Sequence, residues 1–84
     1  MRRLFGTLIG YVVEVVEASN KNYRGLKGRV VDETRNTIVI STCGGLKRIV
    51  KKGCIFRIVR DGESILVRGD DLIGDVVRRV VRIG

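Results

Sequence analysis

The sequence contains no histidine, no proline and no tryptophan, and it has only two cysteines. Without histidine, the usual catalytic triads and dyads cannot be assembled. A structural zinc site needs about four Cys or His ligands, whereas Cys43 and Cys54 stand alone. We therefore predict no catalytic residue, no metal and no cofactor, so that the chain is not an enzyme by itself. The two thiols are expected in core or turn positions.

Long apolar runs are also missing. No stretch approaches the ~18 continuous apolar residues of a membrane span. The start Met1-Arg2-Arg3 lacks the apolar core and small-residue cleavage site of a signal peptide. We expect an intracellular, cytoplasmic protein with no membrane contact. A chain of 84 residues can bury one modest core, so residues 1–84 are predicted to form a single domain.

Negative charge is scarce relative to positive charge. The chain has 17 Lys and Arg against 9 Asp and Glu, which gives a net charge of +8. This excess suggests a polyanionic partner, and nucleic acid is the first candidate.

Short runs rich in Val and Ile alternate with clusters of turn residues. Runs of this length and spacing are typical of a small all-β barrel or sandwich. The Asp61-Gly62-Glu63 cluster indicates a tight hairpin. The predicted strands are Tyr11 to Ala18, Leu26 to Val31, Thr37 to Thr42, Leu46 to Lys51, Cys54 to Arg60 and Ser64 to Arg68.

Both ends of the chain show helical spacing instead. After the candidate N-cap Asp75, a valine stripe faces away from three arginines, which predicts a short C-terminal helix. An apolar stripe near the start predicts a short N-terminal helix that closes one mouth of the barrel. The two stripes are Val76, Val77, Val80 and Val81, and Leu4, Phe5, Leu8 and Ile9.

Two stretches resemble the motifs of the Sm-like fold. Asp32-Glu33-Thr34-Arg35-Asn36 precedes the strand Ile38-Val39-Ile40, and Ile65-Leu66-Val67 precedes Arg68-Gly69-Asp70. This fold is an N-terminal helix followed by a small, strongly bent antiparallel barrel. Within it, "GLKGRVVDETRNTIVI" is similar to the archaeal ribonuclease P protein component 1 family. The similarity extends weakly to "VEVVEASN", "KRIVKKGCIFRI" and "ILVRGDDL".

That resemblance implies a function and partners. The family is a protein subunit of the ribonucleoprotein that removes 5′ leaders from precursor transfer RNA, and its RNA subunit carries the catalysis. The resemblance implies that the chain binds the specificity domain of that RNA. It also implies that the chain pairs with a zinc-binding protein subunit. We expect a monomer when the chain is isolated. Val13 and Val15, in the valine-rich first strand, are the predicted contact with the partner subunit.

Basic clusters are the candidate RNA-binding residues. Phosphates and 2′-hydroxyls of a folded RNA are the expected targets, because only four aromatic residues are present and base-stacking platforms are scarce. Tyr23 is the aromatic that we would examine as a stacking residue. The candidates are Lys21, Arg24, Lys27, Arg29, Arg35, Lys47, Arg48, Lys51, Lys52, Arg78, Arg79 and Arg82.

The cluster from Asp32 to Asn36 has two interpretations. In the first, Asp32 and Asn36 bond to nearby backbone and set a hairpin turn. In the second, Asp32, Asn36, Arg68 and Gly69 form a base pocket like that of Sm-like RNA-binding rings. We expect the turn.

Two other functions fit the sequence less well. One is a homo-oligomeric Sm-like ring that binds uridine-rich single-stranded RNA. The other is a protein–protein adaptor, because the run from Tyr11 to Ala18 lacks clean alternation and could be buried on both sides by a partner.

Overall fold

The computed structural model of the chain describes residues 7–74, which form one antiparallel sheet of six strands in the order β4-β3-β2-β1-β5-β6. All six predicted strand runs are confirmed. The strands are β1 (Val12–Glu17), β2 (Lys27–Glu33), β3 (Thr37–Thr42), β4 (Gly45–Val50), β5 (Ile55–Arg60) and β6 (Glu63–Arg68).

Short turns connect most of these strands. Asp61 and Gly62 form the two-residue loop between β5 and β6 and have φ angles of 52° and 83°. Positive φ at both positions matches the right-handed twist of a hairpin, which is why Asp-Gly is favoured there. The hairpin predicted at this position is therefore confirmed.

The described helices are two short 3-10 segments. One covers Lys21–Tyr23 between β1 and β2, and the other covers Gly69–Leu72 after β6. No α-helix occurs within residues 7–74. The predicted N-terminal helix does not extend through Leu8 and Ile9, because a turn closed by the Tyr11 N–H on the Leu8 carbonyl at 3.1 Å precedes β1. Leu4 and Phe5, and the valine stripe after residue 75, lie outside the described residues.

The core lies on one face of the sheet, where alternate side chains of neighbouring strands meet. Phe56 and Ile58 on β5 face Val13 and Val15 on β1, and all four are fully buried. The buried hydrophobic residues are Leu8, Val13, Val15, Ala18, Val30, Ile38, Ile40, Ile49, Cys54, Phe56, Ile58 and Leu72.

The partner contact predicted at Val13 and Val15 is wrong. Both side chains have 0% exposure, because β1 is a central strand and these residues point toward the core. The valine run looks continuous in the sequence, yet its two faces differ: Val12, Glu14 and Val16 lie on the outer face and are half-buried.

A β-bulge changes the face that the end of β2 presents. Val30 pairs with Ile40, but the next pairs are Asp32 with Val39 and Glu33 with Ile38, so one extra residue is inserted at Val31. An inserted residue shifts the alternation by one position. As a result Glu33 turns inward and Asp32 turns outward.

Candidate nucleic-acid interface

Most of the predicted RNA-binding side chains are exposed. Arg78, Arg79 and Arg82 lie outside the described residues, and eight of the remaining nine are classed as exposed. The strands and loops place them on the surface of β2, on the edge strand β4 and around the first 3-10 helix. The eight are Lys21, Arg24, Lys27, Arg29, Arg35, Lys47, Arg48 and Lys52.

Strands β2, β3 and β4 bring two arginines to one outer face. Arg29 pairs with Ser41, and Arg48 on the far side of β3 pairs with Val39. The two arginines are therefore two strands apart across the sheet, at about 4.8 Å per strand, and are offset by two residues along β3. Arg29 also donates to the Gly10 carbonyl at 2.6 Å, which holds its guanidinium against the N-terminal turn.

Lys47 and Arg48 lie on an edge strand. In the sheet order β4 has one neighbour, β3, and this allows both Lys47 and Arg48 to reach solvent although they point to opposite faces. Lysine on an edge strand also discourages pairing with other chains, so edge protection and anion binding are compatible roles.

Lys51 is buried, so its prediction as an RNA-binding residue is wrong. Its side chain has 0% exposure, and its ammonium is enclosed by four oxygen acceptors. It contacts Glu33 Oε2 at 2.9 Å and the carbonyl oxygens of Thr34, Arg35 and Leu72 at 2.8, 3.2 and 2.9 Å. A lysine buried in this way cannot contact a phosphate. Burial of a charge requires such pairing, because an unpaired ion in the interior is very costly.

The Lys51–Glu33 pair joins three segments that are distant in the sequence. Glu33 is also buried, with 1% of its side chain exposed. Its Oε1 accepts the Leu8 N–H at 2.8 Å and the Thr7 hydroxyl at 3.2 Å. The pair therefore holds the N-terminal segment, the turn between β2 and β3, and the segment after β6 together.

Threonines set the turn between β2 and β3. The Thr37 N–H donates to Thr34 Oγ1 at 3.1 Å, the Thr34 N–H donates to the Thr37 carbonyl at 2.9 Å, and the two hydroxyls lie 2.6 Å apart. Asp32 Oδ1 accepts the backbone N–H of the next residue, Glu33, at 2.9 Å. Within residues 7–74 the Asn36 side chain makes no hydrogen bond, although its backbone carbonyl accepts the Lys51 N–H at 2.8 Å. The predicted role of the Asn36 side chain in setting the turn is therefore not observed.

Two substitutions compare how much Thr34 and Asn36 each support the turn. We expect Thr34→Ala to lower the free energy of unfolding by about 1 kcal/mol, because its hydroxyl hydrogen bonds are lost. Asn36→Ala should change it by less than about 0.5 kcal/mol, as is usual for an exposed side chain without special contacts. Urea titration of both variants measures the difference. Equal losses would mean that the Asn36 side chain also supports the turn.

The four residues of the candidate base pocket occupy two neighbouring segments. The Gly74 N–H donates to the Arg35 carbonyl at 3.0 Å, which places the end of the second segment beside the turn. Asp32 and Asn36 are exposed, and Arg68 pairs with Asp71 at 3.2 Å. This pairing raises the pKa of the Arg68 guanidinium, through the hydrogen bond and then the charge of Asp71.

Gly69 has a packing role that excludes it from the wall of a pocket. It is buried, and its N–H donates to the Cys54 carbonyl at 2.7 Å. A Cβ atom at this position would overlap the Lys51 carbonyl oxygen and lie 3.1 Å from the Phe56 ring. Glycine is therefore required by close backbone approach, and this packing accounts for Gly69 without the alternative interpretation as part of a base pocket.

The cysteines occupy the two kinds of position expected for them. Cys54 is buried and Cys43 is exposed in the turn between β3 and β4. Within residues 7–74 no group of three or more His, Cys, Asp and Glu residues is placed to hold a metal ion. None of the helices in that same part of the chain has the length and apolar character needed to cross a membrane.

The fold and the surface together define a small antiparallel β domain with a strongly cationic exterior. Residues 3–82 match the sequence model of the family "Ribonuclease P/MRP, subunit p29". The chain belongs to this family.

Curated relatives and a solved structure are consistent with this assignment. The chain is 48% identical over 62 residues to ribonuclease P protein component 1 of Archaeoglobus fulgidus, covering 74% of this chain and 61% of that protein. It is 39% identical over 83 residues to the component of the same name in Hyperthermus butylicus, covering 96% and 75%. The solved structure of Mth11, a homologue of human RNase P protein Rpp29, matches with a TM-score of 0.63 at 33% identity, over 81% of this chain and 90% of that one.

Proposed function

We propose that this chain is an RNA-binding protein subunit of ribonuclease P, supporting a catalytic RNA in the removal of 5′ leaders from precursor tRNA. Family membership over residues 3–82 is the observation that carries the proposal. In this role the protein supplies no reacting group, and it stabilises the active fold of the RNA by neutralising phosphates.

The charged surface supports this role. The eight exposed cationic candidates lie on or beside the sheet. Within residues 7–74, two of them bond to other groups: Arg24 pairs with Glu17, and Arg29 donates to the Gly10 carbonyl. Phosphate contacts position a protein on a nucleic acid without reading its sequence. An exterior of this kind suits a large, folded RNA.

The partner subunit and the details of the fold belong to the same proposal. We expect the chain to bind the specificity domain of ribonuclease P RNA and to pair with a zinc-binding subunit. Because Val13 and Val15 are in the core, that pairing has to use other residues. We also expect the sheet to complete a bent Sm-like barrel, with short helices at both ends, in one cytoplasmic domain of residues 1–84.

The test is a titration of the purified chain with the specificity domain of ribonuclease P RNA at several salt concentrations. We expect binding that weakens steeply as salt increases, because each phosphate contact releases counterions. A decamer of uridine serves as the control and should bind much more weakly. The mass of the chain without RNA should be that of a monomer.

Other outcomes would support the alternatives. A mass several times that of the monomer, together with preference for the uridine decamer, would indicate a ring-forming protein. Absence of salt-dependent binding to either RNA would indicate a protein–protein adaptor.

A further inference from the structure

A cleft lies where the first 3-10 helix faces the turn between β4 and β5. It has a volume of about 230 Å³ and is lined by Ser19, Asn20, Tyr23, Val50, Lys52 and Cys54. Sites that enclose whole cofactors are usually about 300–1,000 Å³. The Tyr23 cleft, defined by these six residues, is therefore suited to a single planar ring with part of its substituents outside.

The backbone around Tyr23 is fixed by short-range hydrogen bonds. The Tyr23 N–H donates to the Asn20 carbonyl at 3.0 Å, and the Leu26 N–H donates to the Tyr23 carbonyl at 3.1 Å. Asn20 also caps the 3-10 helix, because its Oδ1 accepts the Asn22 N–H at 2.9 Å. A backbone segment held in this way loses little further freedom when a ligand binds.

The Tyr23 ring is half-buried and packs against the hydrophobic core while also lining the cleft. One part of the ring is therefore supported by the protein and another is accessible from the cleft. Aromatic rings presented in this way are used by RNA-binding domains to stack unpaired bases.

One cationic side chain lines the cleft, and two more are close to Tyr23 in the sequence. Lys52 lines the cleft and is exposed, and Lys21 and Arg24, also exposed, flank Tyr23 in the sequence. On the inner side, burial and then the charge of Asp70 raise the pKa of the Cys54 thiol. The Asp70 carboxylate itself accepts the Gly53 N–H at 3.0 Å. Lys52 is therefore the cleft residue that can contact a phosphate.

The cleft also lies between two groups of basic residues, one from Lys21 to Arg29 and the other from Lys47 to Lys52. Tyr23 belongs to the segment that contains Lys21 and Arg24, whereas Val50 and Lys52 follow Lys47 and Arg48. The two segments meet across the cleft. An RNA strand whose phosphates contact both clusters would pass over Tyr23.

We propose that the Tyr23 cleft binds one unpaired nucleotide of the RNA, with the base against the Tyr23 ring and the phosphate at Lys52. This inference rests on the proposed function, because it assumes that the chain binds RNA. It adds a preference for an unpaired nucleotide, which phosphate contacts alone do not give.

The experiment compares two RNA hairpins that differ by one bulged nucleotide. We expect the wild-type chain to bind the bulged hairpin about tenfold more tightly than the fully paired one, since stacking of one base on an aromatic ring contributes that order of affinity. Tyr23→Phe should keep the preference because the ring remains. Tyr23→Leu should abolish it and leave the affinity for the paired hairpin unchanged.

A spectroscopic readout uses only variants that keep the aromatic ring. The chain has two tyrosines and no tryptophan, so tyrosine fluorescence is not masked. The bulged hairpin should quench the fluorescence of the wild-type protein more than that of Tyr23→Phe, whose remaining tyrosine does not line the cleft. Equal fractional quenching would overturn the inference even if Tyr23→Leu fails to fold.

The outcomes distinguish this inference from the proposed function. If the wild-type chain binds both hairpins equally, or if Tyr23→Leu retains the preference, the cleft does not bind a nucleotide and the RNA-binding role stands. If neither hairpin binds at low salt, both proposals fail. The double variant Lys47→Gln/Arg48→Gln is the matched control, and it should weaken binding to both hairpins by the same factor.

Discussion

Replacing Lys51 by methionine is expected to lower the free energy of unfolding by about 3–5 kcal/mol, because removing one member of a buried ion pair leaves the other charge uncompensated. Methionine has a similar length but cannot donate. The variant leaves the buried Glu33 carboxylate with the Leu8 N–H and the Thr7 hydroxyl. It also removes the donor shared by the Thr34, Arg35 and Leu72 carbonyls. The midpoint and slope of urea unfolding measure the loss.

Lys52 provides a matched control for this variant. It is the next residue in the chain and is exposed, so Lys52→Met removes the same charge without touching the buried pair. We expect a change within about 0.5 kcal/mol, which is typical of surface positions. If Lys51→Met and Lys52→Met unfold at the same urea concentration, Lys51 does not hold the three segments together.

Neutralising the edge strand is expected to have the largest effect on RNA binding. If Lys47 and Arg48 each contact one phosphate, Lys47→Gln/Arg48→Gln should reduce the log–log salt slope by about 1.4 to 1.8, and the affinity by about tenfold or more at 0.15 M salt. Both side chains are exposed and form no hydrogen bond or ion pair within residues 7–74, so stability should change little. Titrations with the specificity domain of ribonuclease P RNA, at four or more salt concentrations, give both quantities.

A second double variant controls for net charge. Arg57→Gln/Arg60→Gln also removes two positive charges, but on β5, which is separated from β4 by three strands in the sheet. These arginines already pair with Glu14 at 2.9 Å and with Asp61 at 4.0 Å. We expect a smaller loss of affinity and a nearly unchanged slope. Equal effects of the two variants would mean that total charge, and not the β4 edge, determines binding.

The strands could be predicted from the sequence because local signals agree with one another. Runs of Val and Ile favour strands, and Asp-Gly favours the hairpin between β5 and β6. The alternation of Lys47 and Arg48 indicated that both faces of β4 reach solvent, through twist or an edge position, and the sheet order places β4 at the edge. Each of these inferences depends on residues that are close in the sequence.

The errors concern residues whose environment is set by distant segments. Lysine is almost never fully buried unless paired, so Lys51 looked like a phosphate contact. Its partner Glu33 turns inward because of the bulge at Val31, and the sequence around Val31 carries no signal for that inserted residue. Without the bulge, Asp32 would occupy the inward position and Glu33 would lie at the surface.

Similar reasons explain two further differences, at Val13 and Val15 and in the turn after β2. Val13 and Val15 lie in a run of apolar residues, where the face that contacts the core is hard to assign before the neighbours of β1 are known. In the turn after β2, Thr34 and Thr37 supply the hydrogen bonds that were assigned to Asn36. Threonine is a weaker turn signal than asparagine, but the spacing of Thr34 and Thr37 around Arg35-Asn36 could have suggested this arrangement.

The most direct test of the account is to isolate the chain from cells that express it naturally and to identify what accompanies it. We predict one structured RNA, and we predict that the isolated particle removes the 5′ leader from precursor tRNA. Treatment of the particle with a ribonuclease should abolish this activity, because in our proposal the RNA carries the catalysis. A chain isolated without RNA, or with short uridine-rich fragments and no cleavage of precursor tRNA, would contradict the assignment as a ribonuclease P subunit.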